Sequence, residues 1–168
     1  MTDSKPSTLR VVEIIPGTTV DGLGFRTAIY FAGCAHKCPG CHNPSTWPFD
    51  AGRDMTIDEI MQIIDAERCD VTFSGGDPMY QAESIIPLAK TLKESGYNIW
   101  CYTGFKYEEI KKIPAMSALL PYLDVLVDGP FIESQKDISL LFRGSANQRL
   151  IDLHRTNGDV AVNWESDF

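Results

Sequence analysis

Strand-like and helix-like segments alternate along most of this chain, and the alternation constrains its fold more than any other feature. The predicted strands are short β-branched or apolar runs, at residues 9–15, 26–32, 69–73, 98–102 and 123–127. Apolar residues recur at helical spacing in the segments between the later strands, at residues 57–64, 84–94 and 107–113. This order is typical of βαβ units and predicts an α/β fold with a mostly parallel sheet.

The length of the chain limits how far such a sheet can close. A complete eight-fold βα barrel needs about 250 residues, whereas this chain has 168. We therefore expect one domain over residues 1–168 that forms a partial, open TIM-like barrel. Residues 1–8 and 154–168 are polar stretches outside the alternating pattern, and we expect them to be flexible tails.

Composition excludes several classes of function. The formal net charge of −8 disfavours a nucleic-acid partner. No apolar run approaches the roughly 18 residues that a membrane span requires, and residues 1–8 lack the apolar core of a signal peptide. We therefore expect a cytoplasmic protein with five reduced cysteines, in which clustered thiols bind metal or react rather than form disulfides.

Four polar or glycine-rich motifs each follow a predicted strand. They are the cysteine loop, defined as residues 33–43, and the pairs or triplets Gly75-Gly76-Asp77, Thr103-Gly104 and Asp128-Gly129. Ligands of parallel α/β folds bind at the carboxyl ends of the strands. The four motifs therefore predict one site at one edge of the sheet.

The cysteine loop contains Cys34, Cys38 and Cys41 in the spacing C-x3-C-x2-C. A four-iron cluster held by three thiolates leaves one iron open, and an open metal position is the mark of a catalytic site. The run from Cys38 to His42 also matches the C-x-x-C-H pattern of haem attachment, and three cysteines with His36 or His42 could bind zinc. Cys69 and Cys101 lie in or beside predicted buried strands, which favours core packing.

Three sequence runs resemble a known family. The cysteine spacing and the Gly-Gly-acid turn resemble the radical S-adenosylmethionine superfamily. Residues 38–47, 124–131 and 143–149 are similar to the anaerobic ribonucleoside-triphosphate reductase activating proteins, which are glycyl-radical-enzyme activases. The resemblance extends from about Val11 to about Asp152.

The resemblance implies an enzyme, an oxidoreductase with a defined reaction. Cys34, Cys38 and Cys41 would bind a [4Fe-4S] cluster whose open iron chelates S-adenosylmethionine. One electron, from a low-potential donor such as flavodoxin, would cleave that cosubstrate to a 5′-deoxyadenosyl radical. The radical would abstract hydrogen from a glycine of anaerobic ribonucleotide reductase, the protein substrate. The cluster and cosubstrate would carry the chemistry, and the protein would orient them.

The resemblance also implies which residues contact S-adenosylmethionine. They are Gly40, Cys41, His42, Asn43, Gly75, Gly76, Asp77 and Asp128. This chain has Asp77 where relatives often have glutamate, and Pro130 where related activases carry a basic residue. Arg143 is a candidate for part of the work of that missing cation.

Residues 131–149 follow the last predicted strand and would begin beside the site. Their polar side chains suit hydrogen bonds to a docked loop of the reductase, or they brace their own loop: Arg143, Asn147, Gln148 and Arg149. Two alternative functions stay open. One is activation of another glycyl radical enzyme, and the other is a non-enzymatic iron–sulfur or zinc redox module.

Overall fold

A computed structural model describes residues 7–165 and shows a mixed α/β fold. The expected tails at residues 1–6 and 166–168 lie outside the described residues. Within the described range, seven strands form one sheet in the order β3-β1-β2-β4-β5-β6-β7. The strands are β1 (Thr8–Thr18), β2 (Arg26–Phe31), β3 (Arg53–Thr56), β4 (Asp70–Gly75), β5 (Ile99–Tyr102), β6 (Val125–Asp128) and β7 (Arg149–Asp152).

The centre of the sheet is parallel, as the alternating pattern predicts. Strand β4 pairs in parallel with β2 and β5, and β5 pairs in parallel with β6. The flanks differ from the prediction, because β1 is antiparallel to β2 and β3, and β7 is antiparallel to β6. Strands β3 and β7 have four residues each and were not predicted.

Helices connect the parallel strands. They are α1 (Ile57–Glu67), α2 (Ala82–Glu94), α3 (Tyr107–Lys111) and α4 (Pro114–Ser117). Helix α1 begins at a capping box in which Thr56 and Glu59 exchange side-chain-to-backbone hydrogen bonds. In residues 7–165 no helix is long and apolar enough to cross a membrane.

The two faces of the sheet have different cores. The larger core contains buried side chains of the strands and helices, among them Phe31, Phe73 and Leu88. The smaller core, on alternate residues of β5 and β6, contains Trp100 and Val127. Side chains from outside the helices cover this second core, including Tyr102, Phe142, Leu150 and Trp164. The helix-free face is therefore partly covered by the segments on either side of β7.

Much of the expected C-terminal tail is attached to the sheet. The Asp152 N–H donates to Val162 O, and the Trp164 N–H donates to Leu150 O. The Trp164 ring lies edge-on to Trp100, with 5.1 Å between ring centroids. The polar composition of the segment concealed this attachment, because few of its residues are apolar; Ala161 packs against the larger core and Trp164 against the smaller one.

The Gly76 backbone lies against the cysteine loop. A Cβ at Gly76 would lie 2.6 Å from Gly33 O and 2.9 Å from Thr46 O. The Gly76 N–H donates to Phe31 O, and the Asp77 N–H donates to Gly33 O. A side chain at position 76 would therefore push the cysteine loop away from the end of β4.

We expect Trp164→Ala to lower the free energy of unfolding by about 2 kcal/mol, because it removes a partly buried aromatic ring from the smaller core. Val160→Ala is the matched control, since Val160 is 75% exposed in the same segment. Chemical denaturation of both variants gives the comparison. Equal stability of the two would mean that the segment adds nothing to the fold.

We expect Gly76→Ala to destabilise the protein by about 1–3 kcal/mol, since the added Cβ meets backbone atoms that cannot move freely. Gly96→Ala is the control, because a Cβ there meets nothing within 4 Å and only the φ of 87° opposes it. Thermal unfolding measures both. A Gly76→Ala variant at least as stable as Gly96→Ala would contradict the close backbone contact.

Candidate functional site

The four motifs predicted to converge do lie at one edge of the sheet. Strands β2, β4, β5 and β6 are parallel neighbours, so their carboxyl ends are adjacent. Backbone hydrogen bonds also join the segments beyond the strands, because the Thr103 N–H donates to Val127 O and the Gly129 N–H donates to Phe105 O. The edge is therefore one connected surface on which the cysteine loop and three turns lie side by side.

Within the cysteine loop, Cys34 is buried, whereas Cys38 and Cys41 are half-buried. Burial raises the pKa of the Cys34 thiol, although the backbone N–H groups of His36 and Lys37 oppose that shift. The Cys41 N–H donates to Cys38 O, which closes a tight turn around Gly40. The loop is anchored at its start by the Cys34 N–H, which donates to Trp47 O.

The three thiols fit an iron–sulfur cluster by their chemistry. All are free of disulfides and belong to one short loop, which matches ligation by three thiolates. Within residues 7–165 no three His, Cys, Asp or Glu side chains are grouped so as to hold a single metal ion. A four-iron cluster is a different case, because each thiolate binds a different iron and the sulfurs need not converge on one point. Cluster binding would require deprotonation of the three thiols.

Asp77 is fully buried, and its carboxylate is bonded within the protein. Oδ1 accepts from the Met79 N–H at 3.0 Å, where it caps the 3-10 turn Pro78–Gln81. Oδ2 accepts from Thr103 Oγ1 at 3.0 Å and from the Gly104 N–H at 2.9 Å, and it lies 2.7 Å from His36 Nε2. With this many partners, the carboxylate holds the edge together, and its expected contact with S-adenosylmethionine stays a prediction.

The two histidines of the cysteine loop have different surroundings. His36 is hydrogen-bonded to Asp77, which raises the pKa of its imidazole. His42 is exposed, with its ring centroid 5.5 Å from that of Phe131. The sequence identified His36 only as an alternative zinc ligand, since its partner is 41 residues away along the chain.

Gly40 and Asn43 occupy the outer part of the loop. A Cβ at Gly40 would lie 3.1 Å from Glu133 Cδ and 3.2 Å from Phe131 Cε1, so the segment after β6 lies directly over this turn. The Asn43 carbonyl accepts from the Thr46 N–H and Thr46 Oγ1, which begins the 3-10 turn Pro44–Thr46. Gly40, before Cys41, is thus covered by side chains, and Asn43, after it, is held through its backbone carbonyl.

Asp128 is also buried and paired within the protein. It accepts from the Tyr107 N–H at 2.8 Å and from Nε and Nη2 of Arg149, its neighbour on β7. Arg149 also bonds both carboxylate oxygens of Glu108. These bonds tie the end of β6 to β7 and α3, and the expected contact of Asp128 with S-adenosylmethionine stays a prediction.

The polar run at residues 143–149 braces its own loop. Arg143 Nη1 donates to Gln148 O, and Gln148 Oε1 accepts from the N–H groups of Gly144 and Ser145. Asn147 Nδ2 donates to Pro130 O. These side chains were predicted either to bind a docked loop or to brace, and the bracing contacts are the ones observed. Arg143 does not contact the cysteine loop through any of these bonds.

Comparisons with known proteins indicate the kind of protein that this site belongs to. A protein-family model described as a 4Fe-4S single cluster domain matches residues 20–151. The anaerobic ribonucleoside-triphosphate reductase-activating protein of Haemophilus influenzae is 38% identical over 152 residues, covering 83% of this chain and 96% of the relative. The protein of the same name from Vibrio cholerae is 39% identical, covering 79% and 91%.

A solved structure resembles the fold. The crystal structure of QueE from Escherichia coli matches with a TM-score of 0.51 and 17% identity. The match covers 60% of this chain and 54% of the QueE chain, so about half of that longer protein has a counterpart here.

The family model covers most of the chain, and the relatives from both bacteria align over nearly their full length. All three cysteines of the loop lie inside the matched range. This chain belongs to the family of anaerobic ribonucleoside-triphosphate reductase-activating proteins.

Proposed function

We propose that this protein is the enzyme that activates an anaerobic ribonucleotide reductase by making a glycyl radical on it. The observation that carries this function is the near full-length similarity to proteins named as activators of that reductase. The three free thiols at the carboxyl edge of the parallel strands agree with it, because catalysis by a cluster with an open iron needs three protein ligands.

Cys34, Cys38 and Cys41 are the residues that would hold the cluster. When bound, a [4Fe-4S] cluster with one open iron supplies the electron for reductive cleavage of S-adenosylmethionine. The chain provides a partly buried loop that limits access of water to one side of the ligands, since Cys34 is only 8% exposed. Burial raises the pKa of the Cys34 thiol, and the backbone amides of His36 and Lys37 only partly oppose that shift.

S-adenosylmethionine would bind beside this loop, within reach of the outer residues Gly40, Cys41, His42 and Asn43. The carbonyl oxygens of the Gly75-Gly76 turn are the proposed acceptors for its ammonium group. Asp77 and Asp128 support this region through other residues, because their carboxylates are bonded within the protein. The exposed His42 ring is the proposed packing surface for the adenine base.

The sheet is proposed to be part of an open barrel whose helix-free face borders the site. Helices connect the parallel strands, while loops and the C-terminal segment cover the other face. An open wall suits a protein substrate, because the glycine to be activated must reach the cluster. The electron would come from a low-potential donor such as flavodoxin.

Alanine substitution of Cys34, Cys38 or Cys41 should abolish cluster binding, since two thiolates do not hold a four-iron cluster stably. Cys69→Ala is the matched control, because Cys69 lies at the start of β4, away from the site edge. Iron and sulfide analysis after anaerobic reconstitution measures the difference. Loss of the cluster in a folded Cys69→Ala variant would contradict the ligand assignment.

The activity itself is tested by mixing the reduced, reconstituted protein with S-adenosylmethionine and the reductase under anaerobic conditions. We expect a glycyl radical signal in electron paramagnetic resonance, and none with the Cys34→Ala variant. A signal with another glycyl radical enzyme in place of the reductase would assign the protein to a sister activase. Cluster binding without cleavage of S-adenosylmethionine would favour a redox module.

A further inference from the structure

The hydrogen bond between His36 and Asp77 joins the cysteine loop to the rest of the edge through side chains. His36 lies between Cys34 and Cys38 in sequence, and its Nε2 is 2.7 Å from Asp77 Oδ2. The side chains of His36 and Asp77 are 18% and 1% exposed, so water competes weakly for this bond. The same carboxylate oxygen accepts from Thr103 and Gly104 beyond β5. One bond therefore links the loop to two neighbouring strand ends.

The imidazole ring is also confined by packing. Its centroid is 4.6 Å from that of Phe105 and 5.7 Å from that of Tyr80. A Cβ at Gly104 would lie 2.6 Å from His36 Cδ2, so the ring is seated directly on the backbone of residue 104. These contacts restrict rotation of the His36 ring, so its Nε2 atom stays in one position relative to Asp77.

The position of residue 36 determines the backbone around the first cluster ligand. Lys37, the next residue, turns the chain toward Cys38 with a φ of 48°. Fixing the His36 side chain therefore restrains the backbone two residues after Cys34 and sets the start of the path to Cys38. Hydrogen bonds to cluster sulfurs and the orientation of the ligands both determine how well a cluster is held.

We infer that His36 is a positioning residue for the cluster: its Nε2–Asp77 hydrogen bond holds the segment from Cys34 to Cys38 in a cluster-binding geometry. The inference rests on the proposed function, because it assumes that these cysteines bind the cluster. Asp77 thereby acts on the cluster through His36. The chemical requirement at position 36 is a hydrogen-bond donor at the place of Nε2.

Two substitutions separate this hydrogen bond from the other properties of the side chain. The amide nitrogen of His36→Gln falls near the place of Nε2 and can still donate to Asp77, whereas that of His36→Asn falls near Nδ1 and cannot reach. The rate of iron loss to excess chelator, from anaerobically reconstituted protein, is the readout. We expect His36→Gln to stay within about twofold of the unmodified protein and His36→Asn to lose iron about tenfold faster or more.

His154→Asn is the matched control, because it removes another histidine–carboxylate hydrogen bond, that with Asp124. Asp124 precedes β6, whereas the site follows the strands, so iron loss should be unchanged in this variant. Thermal unfolding of the metal-free proteins is measured in parallel. Destabilised metal-free His36→Asn protein with unchanged iron loss would assign the bond to the fold alone and overturn the inference.

The remaining outcomes are also decisive. Equally fast iron loss in His36→Gln and His36→Asn would indicate that the imidazole itself binds the metal, which overturns the positioning role. Iron loss at the unmodified rate in both would overturn it as well. If the unmodified protein binds no cluster, the proposed function fails together with the inference. If all variants retain the cluster and still activate the reductase, the positioning role of His36 is wrong and the proposed function stands.

Discussion

The carboxylate of Asp77 is withdrawn from water at the point where three chain segments meet. A buried carboxylate is costly unless hydrogen bonds replace its hydration, and here the donors come from Met79, Thr103, Gly104 and His36. No single segment provides all of them. The turn after β4, the turn after β5 and the cysteine loop must therefore assemble together, and misplacing any one leaves the charge under-satisfied.

A second buried carboxylate organises the next part of the edge in the same way. Asp128 at the end of β6 binds Arg149 of β7 and the first N–H of α3, and Arg149 extends the network to Glu108. The charges are of opposite sign and bonded through fixed geometry, which is the condition under which a buried ion pair is tolerated. Two buried carboxylates thus hold together the segments that form the site edge. The proposed ligand contacts are made by backbone atoms and by residues of the outer loop.

The sequence predicted the parallel core of the fold well and its flanks less well. Strands β2, β4, β5 and β6 are short, largely buried runs followed by polar turns, and their β-branched or apolar residues and the turns can be detected without coordinates. Strands β3 and β7 have half-exposed, charged residues, and tertiary pairing alone makes them strands. The segment that contains Trp164 was expected to be a tail for the same reason.

For the site, the sequence indicated which residues meet but not what each one binds. It placed Asp77 and Asp128 at the right edge, yet residue type alone does not distinguish a carboxylate that faces a ligand from one that binds its own protein. Three of the four partners of Asp77 lie 26 to 41 residues away along the chain. Glycine at position 76 is ambiguous in the same way, because its close neighbour is the backbone of Gly33. The roles of these residues are set by contacts with distant parts of the chain, which the sequence alone does not show.

The protonation of the three thiols explains why contacts elsewhere in the protein must hold the cysteine loop in shape. Burial and the charge of Asp77 both raise the pKa of Cys34, so its neutral form is favoured until a cation binds. Neutral thiols attract each other weakly, and three thiolates would repel. The thiols therefore do not hold the loop in shape, and other contacts must do so. Backbone bonds from Cys34 to Trp47 and from Asp77 to Gly33 provide part of this support, and the His36–Asp77 bond adds a side-chain contact between Cys34 and Cys38. Cluster binding then requires deprotonation of three thiols on a loop that the protein already holds.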